Sequence, residues 1–315
     1  MITPGRDALE ALVAAELAVP SEPGPGTAAA MRVAENIIAR HGGGAVEAVL
    51  FYGACRREDD PTGLLDLYVL TSGHRAFHGR ALAALLNALL PPTVLHWRSP
   101  GPGGEIRAKV AVMRLGQFER RLRPGGLDTT IWARFCQPST LVHARDAAAR
   151  RRVERAVAQA LETAALWAVR LGPARAAPDA YWRSLFARTF GAELRPERSD
   201  RPDRLLAAAP DWYDQALPLA LARLGLPPDA AGRLAPGRLG RWSQGWMLRR
   251  TCGKALNLLR LVKAAFTYEA GPDYLLDKIG RHTGVTLQLT AWQRRHPVLA
   301  APALLWRLRR RGAVR

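Results

Sequence analysis

The 315-residue chain has only three cysteines, and Cys55, Cys136 and Cys252 lie far apart with no paired spacing. That argues against a disulfide framework or a zinc ribbon and suits a reducing compartment. Lysine is nearly absent: of the 46 basic residues only Lys109, Lys254, Lys263 and Lys278 are lysines, the others being arginine. Acidic residues number 27, which leaves a formal net charge of +19. No window reaches the roughly 18 uninterrupted apolar residues that a spanning helix needs. The richest, residues 81–95, is broken by Asn87, Pro91 and Pro92. The opening stretch MITPGRDALEALVAAELAVP has no positive cap followed by an apolar run, so it does not read as a signal peptide. The expectation is a cytoplasmic protein whose contact with a membrane is peripheral, at its cytoplasmic face. There is no internal repeat of fixed period.

What is present is a composition that is 48% hydrophobic, enough for a sizeable core and, at this length, for two units. The positive charge points to polyanionic partners: nucleic acid, an anionic membrane surface or a phosphorylated substrate. Charge alone does not rank them. Richness in arginine and alanine is also what a GC-rich genome produces.

Residues 7–18 and 28–40 carry apolar residues at helical spacing, separated by PSEPGPGT, which reads as a flexible linker. The period then changes. VEAVLFYGA (46–54) and LLDLYVLT (64–71) are short apolar runs that suit strands buried on both faces, joined by the charged loop CRREDDPTG. A helix over 76–90, a short strand at TVLHW and a loop SPGPGG follow. EIRAKVAVM (105–113) then alternates, with Glu105, Arg107 and Lys109 on one face and Ile106, Ala108 and Val110 on the other. From about 145 the strand signals nearly vanish. Helices are expected at 146–171, 178–193, 211–224, 240–268 and 271–282, with breaks at the proline-rich segments 173–178, 196–202 and 227–236. The fold class is α/β: a small mixed sheet with helices, then a mostly helical second unit.

Gly53 ends a strand where the chain must turn closely, and Asp66 sits inside an apolar strand, where an unpaired carboxylate carries a high desolvation cost. A close turn, a carboxylate on an adjacent strand and a strand face bearing Glu105, Arg107 and Lys109 are the parts nucleotidyl transfer needs. Backbone amides meet phosphate, a carboxylate holds Mg²⁺, and cations offset phosphate charge.

Taken in order, these features resemble the DNA polymerase beta-like nucleotidyltransferases, and within them the soluble, mitochondrial-type phosphatidate cytidylyltransferase family. That family has a Tyr-Gly-Ser-Gly turn, an aspartate heading an apolar strand, a Lys-Tyr-Gly-Val strand and a segment close to Ala-Gly-Arg-Leu-Gln-Lys-Pro. Here the corresponding residues are Tyr52, Gly53 and Ala54; Asp66; Lys109 opening KVAVM; and WARFCQPSTLV, in which Arg134 and Pro138 keep their places. LRLVKAAFTYEAGPDYLLDKI is similar to a later Ser-Leu-Lys-Gly stretch, with Lys263, Gly271 and Tyr274 matching. The likeness covers about residues 46–145 and 246–280. Ala54 stands where the family has serine, Cys55 where it has glycine, and Tyr68 where the superfamily has a second carboxylate.

The resemblance implies transfer of CMP from CTP to phosphatidic acid, giving CDP-diacylglycerol and pyrophosphate, with Mg²⁺ as cofactor. Asp66 would hold the metal and act with Lys109 and Glu105 in catalysis, while Gly53, Ala54, Cys55 and Arg134 bind nucleotide. Glu58, Asp59, Asp60, Glu105 or Asp128 would supply the missing carboxylate. It divides the chain into an N-terminal helix and linker (1–27), a nucleotidyltransferase-like domain (28–145), a helical domain (146–295) and a basic amphipathic end (296–315).

A lipid substrate requires docking on an anionic membrane surface. On a helical wheel of WMLRRTCGKALNLLRLVKAAF, Arg249, Arg250, Lys254, Asn257, Arg260 and Lys263 gather on one side and Leu248, Cys252, Ala255, Leu259, Val262 and Phe266 on the other. The expectation is an apolar side in the core and a basic side toward lipid phosphates, Arg260 and Lys263 among them. Leu305, Trp306 and Leu308 with Arg307, Arg309, Arg310, Arg311 and Arg315 suit an interfacial anchor, or equally a disordered basic tail. His74 and His78 share a helix face but lack the carboxylate partner that would favour a metal. Two rivals remain, a nucleic-acid-directed nucleotidyltransferase and a catalytically inactive lipid-binding relative. The first is not favoured, because it should show paired carboxylates.

Overall fold

Two apolar runs separated by a charged loop form adjacent antiparallel strands, β1 (Val46–Tyr52) and β2 (Leu64–Thr71), because each can bury both of its faces. In the computed structural model, which describes residues 7–173, 176–191, 200–226 and 243–267 with Thr290, Trp292, Gln293, Ala303, Trp306 and Arg307, these strands lie centrally in a five-stranded sheet. The others are β3 (Thr93–Gly101), β4 (Gly104–Arg114) and β5 (Thr140–Ala144), and the order is β3-β4-β2-β1-β5. Only the β2–β4 pair is parallel, so the sheet is mixed.

The helices are α1 (Ala8–Leu17), α2 (Pro25–His41), α3 (Ala54–Arg57), α4 (His74–His78), α5 (Ala81–Leu89), α6 (Leu115–Arg121), α7 (Thr129–Phe135), α8 (Ala147–Leu171), α9 (Pro178–Phe190), α10 (Arg201–Ala207), α11 (Pro210–Arg223) and α12 (Ser243–Thr267). Period-two alternation along the strands feeds two cores. Val49, Phe51, Leu67, Val69, Val110 and Val112 pack on α2 through Ala30, Val33 and Ile37. Leu50, Tyr68, Leu70, Ala111 and Met113 pack on the opposite side with residues of α1, α7, α8, α9 and α11, among them Leu9, Trp132, Leu161, Trp182 and Leu217. The helical second half therefore shares a core with one sheet face.

Several local expectations are corrected. The single helix over 76–90 is two, because Gly79 takes a left-handed conformation (φ 67°) between α4 and α5. The SPGPGG loop shrinks to a hairpin in which β3 and β4 pair out to Gly101 and Gly104. The proposed linker is anchored: α2 starts at Pro25, and Asp59 Oδ1 accepts from the amides of Gly26 (3.0 Å) and Thr27 (3.2 Å), capping that helix from 33 residues away. A Cβ at Gly24 would fall 1.8 Å from Asp59 Oδ2. Elements α6, α7, β5 and α10 were not expected. The helix proposed for 271–282 and the break at 227–236 lie outside the described residues, as do Gly271 and Tyr274.

The largest correction concerns α12. Against the expected arrangement, Arg249, Arg260 and Lys263 turn inward, while Arg250 and Lys254 are exposed together with Met247, Leu248, Leu258 and Leu259. Arg249 donates to the carbonyls of Gly245 and Pro124, both at 3.1 Å. Arg260 donates to Pro91 O (2.7 Å) and Thr130 Oγ1 (3.3 Å) and pairs with Asp128. Lys263, 4% exposed, donates to the carbonyls of Leu90 and Pro92 and to Thr93 Oγ1. Burial, with the Arg260 and Arg121 charges, pulls its ammonium down to about 7. By contrast Met247 is 67%, Leu258 58% and Leu259 48% exposed. Arg260 and Lys263 thus clamp the Pro91–Thr93 segment rather than presenting their charges to solvent.

Two outcomes follow for stability. Asp59→Ala should cost about 1 kcal/mol in urea unfolding, and Asp59→Asn much less, as for a lost helix cap. Arg260→Ala should cost on the order of 3 kcal/mol by stranding part of a buried carboxylate's pairing. Burial pushes the Asp128 carboxyl up, but Arg260, Thr130 and Arg121 outweigh it and hold the group below its ordinary 3.8. This contribution is complete above that value and lost as pH falls through the lower, folded-state one. The deficit of Arg260→Ala should therefore shrink in strong acid, and a pH-independent deficit would contradict the assignment.

Candidate functional site

The pairing register builds a polar row across four strands. Tyr52 of β1 is opposite Asp66 of β2, Asp66 is opposite Lys109 of β4, and Lys109 is opposite His96 of β3. Asp66 and Lys109 project from the same sheet face as Tyr68 and Ala111, one step beyond the core toward solvent. Their charged ends lie 3.8 Å apart, Lys109 29% and Asp66 30% exposed, a geometry in which neither is fully desolvated. The remainder of that face is buried and aromatic: the Tyr68 ring contacts those of Tyr52, Phe118 and Phe135.

Gly53 sits between β1 and the single turn α3 with φ 89°, and a Cβ there would approach Asp66 Oδ2 to 2.7 Å. The position needs glycine on both counts. No side chain caps α3. Ala54 is exposed, whereas Cys55 is buried, with its thiol donating to Leu64 O at 3.4 Å. Burial, then Asp60, Asp66 and Glu58, push that thiol up, away from nucleophilic reactivity. Arg134 of α7 lies 5.3 Å from the centre of the Tyr52 ring, which brings it to the same rim.

Gly53, Ala54, Asp66, Lys109 and Arg134 therefore converge. Glu105 does not: four residues along β4 from Lys109, about 13 Å at strand rise, it pairs with the exposed Arg98 at 3.3 Å near the hairpin tip. Three further carboxylates proposed to join Asp66, namely Asp59, Asp60 and Asp128, are engaged elsewhere, while Glu58 is exposed just after α3. Asp59 caps α2, Asp60 accepts from Thr62, and Asp128 is 3% exposed between Arg121 and Arg260. Among the described residues no three His, Cys, Asp or Glu side chains converge. The donor set does not make a resident Mg²⁺ cage. Asp66 alone suits an ion that arrives already held by triphosphate oxygens.

Tyr68, in the place of the second carboxylate, is fully buried, and its hydroxyl has no hydrogen-bond partner among the described residues. Burial drives that hydroxyl's pKa upward, so it stays neutral. His74 and His78 are likewise not a metal pair. His78 Nε2 lies 2.9 Å from Asn87 Nδ2, and burial takes its pKa down to about 4.

Sequence reasoning missed His96, whose place opposite Lys109 comes from strand register and leaves no local signal. It also missed a cavity of about 470 Å³ next to α3, lined by Glu16, Arg56, Arg57, Asp59, Pro138 and Thr140. There Arg56 pairs with Glu16 and donates to Thr140 Oγ1 at 3.0 Å. The adjacent arginines in CRREDDPTG were the available signal.

No protein-family model and no curated protein matches the chain. Among solved structures it is similar to a nucleotidyltransferase-like protein from Exiguobacterium sibiricum, at 12% identity over 90% of this chain and 91% of that one, with a TM-score of 0.28. Support for a function therefore comes from this chain's own geometry.

Proposed function

We propose that the chain is a nucleotidyltransferase that moves CMP from CTP to phosphatidic acid, releasing pyrophosphate. The observation that carries this reading is the half-exposed Asp66–Lys109 pair on parallel neighbouring strands, set against a glycine turn that only a residue without Cβ can make. The choice of CTP and of phosphatidic acid rests on the family resemblance, and the net charge of +19 is compatible with an anionic acceptor.

In this mechanism the triphosphate lies against the Gly53–Ala54 backbone, where the missing Cβ permits close approach. Asp66 would hold a Mg²⁺ ion brought in with the nucleotide, which would supply charge neutralisation at the phosphate oxygens. Lys109 offsets charge that develops as the acceptor's phosphate oxygen attacks the α-phosphorus and the bond to pyrophosphate breaks. Arg134, held over Tyr52, adds a cation at the rim. No side chain forms a covalent intermediate, consistent with the buried, raised-pKa thiol of Cys55. The placement of Tyr68 favours one rival, a binding protein that retains the turn without turnover.

Pyrophosphate release from each of the four NTPs, with Mg²⁺ and phosphatidic acid vesicles, separates the two. Release with CTP alone, reduced about 100-fold or more in Asp66→Asn with folding retained, is the expected result. No release with any NTP would sink the enzyme reading in favour of the binding protein. Gly53→Ala should lose activity to a similar degree and also about 1–2 kcal/mol of stability, since it forces a Cβ into a left-handed backbone against Asp66. A fully active Gly53→Ala protein would remove the turn from the site.

A further inference from the structure

The cavity beside α3 forms where distant parts of the chain meet: the end of α1, the start of α2, the second half of α3, the entry to β5 and the α10–α11 junction. Its volume of about 470 Å³ falls in the range of about 300–1,000 Å³ usual for small-molecule sites. Polar groups converge on it from separate elements. Arg56 gives its Nε–H to Thr140 Oγ1 at 3.0 Å and pairs through Nη2 with Glu16. Bonded in this way, and with no other partner among the described residues, the pair keeps Arg56 Nη1 as a donor and Glu16 Oε2 as an acceptor. Burial raises the Glu16 carboxyl above its ordinary 4.5, against the pull of Arg56.

Tyr213 of α11, one helical turn after the lining residue Ala209, is 2% exposed, and its hydroxyl has no hydrogen-bond partner among the described residues. Burial drives that hydroxyl's pKa upward, and Cys136, Arg57, Glu16 and Arg56 are the groups whose charge reaches it, so it stays neutral and close to the same cluster. The cavity also adjoins the polar row. Thr140 is the register partner of Phe51, two residues before Gly53. Arg56 follows Gly53 by three residues, roughly 4.5 Å along α3. Phosphates resting on the Gly53–Ala54 backbone are therefore within one nucleotide's length of Arg56 and Glu16.

Resting on the reading of nucleotidyl transfer at Gly53 and Asp66, we propose that this cavity holds the base of the bound nucleotide, and that the Arg56–Glu16 pair reads a base edge on which an amino group adjoins a ring nitrogen. Glu16 accepts from the amino group and Arg56 donates to the ring nitrogen. Cytosine and adenine carry that edge. Uracil and guanine put a carbonyl in place of the amino group, facing the Glu16 carboxylate. The choice between the two amino-bearing bases stays with the reading above. The lining disfavours other occupants. Arg56 and Arg57 are balanced by Glu16 and Asp59, so a free phosphate would meet two carboxylates and a metal ion two guanidiniums. A wholly apolar ligand would cover Pro20, Pro138 and Ala208 but would bury the charged pair without new partners. A flat ring with a polar edge suits both kinds of lining.

The test is calorimetric titration of the full chain with CTP, UTP or inorganic tripolyphosphate, with Mg²⁺ and without lipid. CTP should bind roughly tenfold or more tighter than UTP. Glu16→Gln, whose amide can donate to a carbonyl, should weaken CTP about tenfold and leave UTP unweakened, so that the preference is lost. Ala15→Trp and Ala208→Trp fill the cavity from positions that are exposed, so melting should be little changed. Each should weaken both nucleotides about tenfold or more and leave tripolyphosphate binding as it was. Equal binding of CTP and UTP by the unaltered chain overturns the inference. So does equal weakening of both by Glu16→Gln, which is what a mere brace between α1 and α3 would give, or normal CTP binding by both tryptophan variants. Binding is read here without turnover. A chain that selects CTP through the cavity yet releases no pyrophosphate leaves this assignment standing, and an active chain indifferent to the tryptophans leaves the transfer standing without it.

Discussion

Strand β2 is hydrogen-bonded along both edges, antiparallel to β1 and parallel to β4, and this double register decides which side chains share the polar row. Because side chains alternate with a period of two, a slip of one residue would carry Asp66 to the Val49–Val110 side and expose Leu65 or Leu67 in its place. Both neighbouring strands oppose that slip. Tyr68 and Leu70 fill one core while Leu67 and Val69 fill the other, so any shift leaves two cores mismatched. The Asp66–Lys109 pairing contributes little to this choice, being half-solvated; the apolar residues on either side of it fix the register, and the polar pair is placed as a consequence.

The same order of causes explains what was legible beforehand. Strands β1, β2 and β4 were visible because their patterns are local: continuous apolar runs where both faces are buried, and strict alternation over 105–110, where the strand emerges from the fold. Asp66, Gly53 and Lys109 were legible as exceptions within those patterns, a charge or a glycine where an apolar residue would serve. Glu105 was misread because alternation says which face a residue shares and nothing about how far along the strand its partner stands. The α7–β5 region was lost inside WARFCQPSTLV, where an apolar helix turn passes into a short strand across Pro138 with neither period sustained.

Helix α12 shows a different limit. A wheel separates polar from apolar arcs, and the usual inference sends the apolar arc inward. Here the inward surface is made of unpaired carbonyls at Leu90, Pro91, Pro92 and Pro124 and of one buried carboxylate, and it is cations that satisfy such groups. Two of those carbonyls belong to a Pro-Pro pair that cannot continue a regular element, so their partners had to come from another part of the chain. Nothing in the helix's own sequence records this demand. It is written in residues some 170 positions earlier.

The net charge must be read in the same light. Arg56, Arg121, Arg145, Arg152, Arg223 and Arg260 are bound to carboxylates, and Arg249 to carbonyls, so much of the basic excess is internal fastening. Arginine suits that work because its planar fork reaches several oxygens at once and is desolvated more readily than an ammonium. Composition therefore overstates the field available to a partner, and a charge count cannot by itself locate a binding surface.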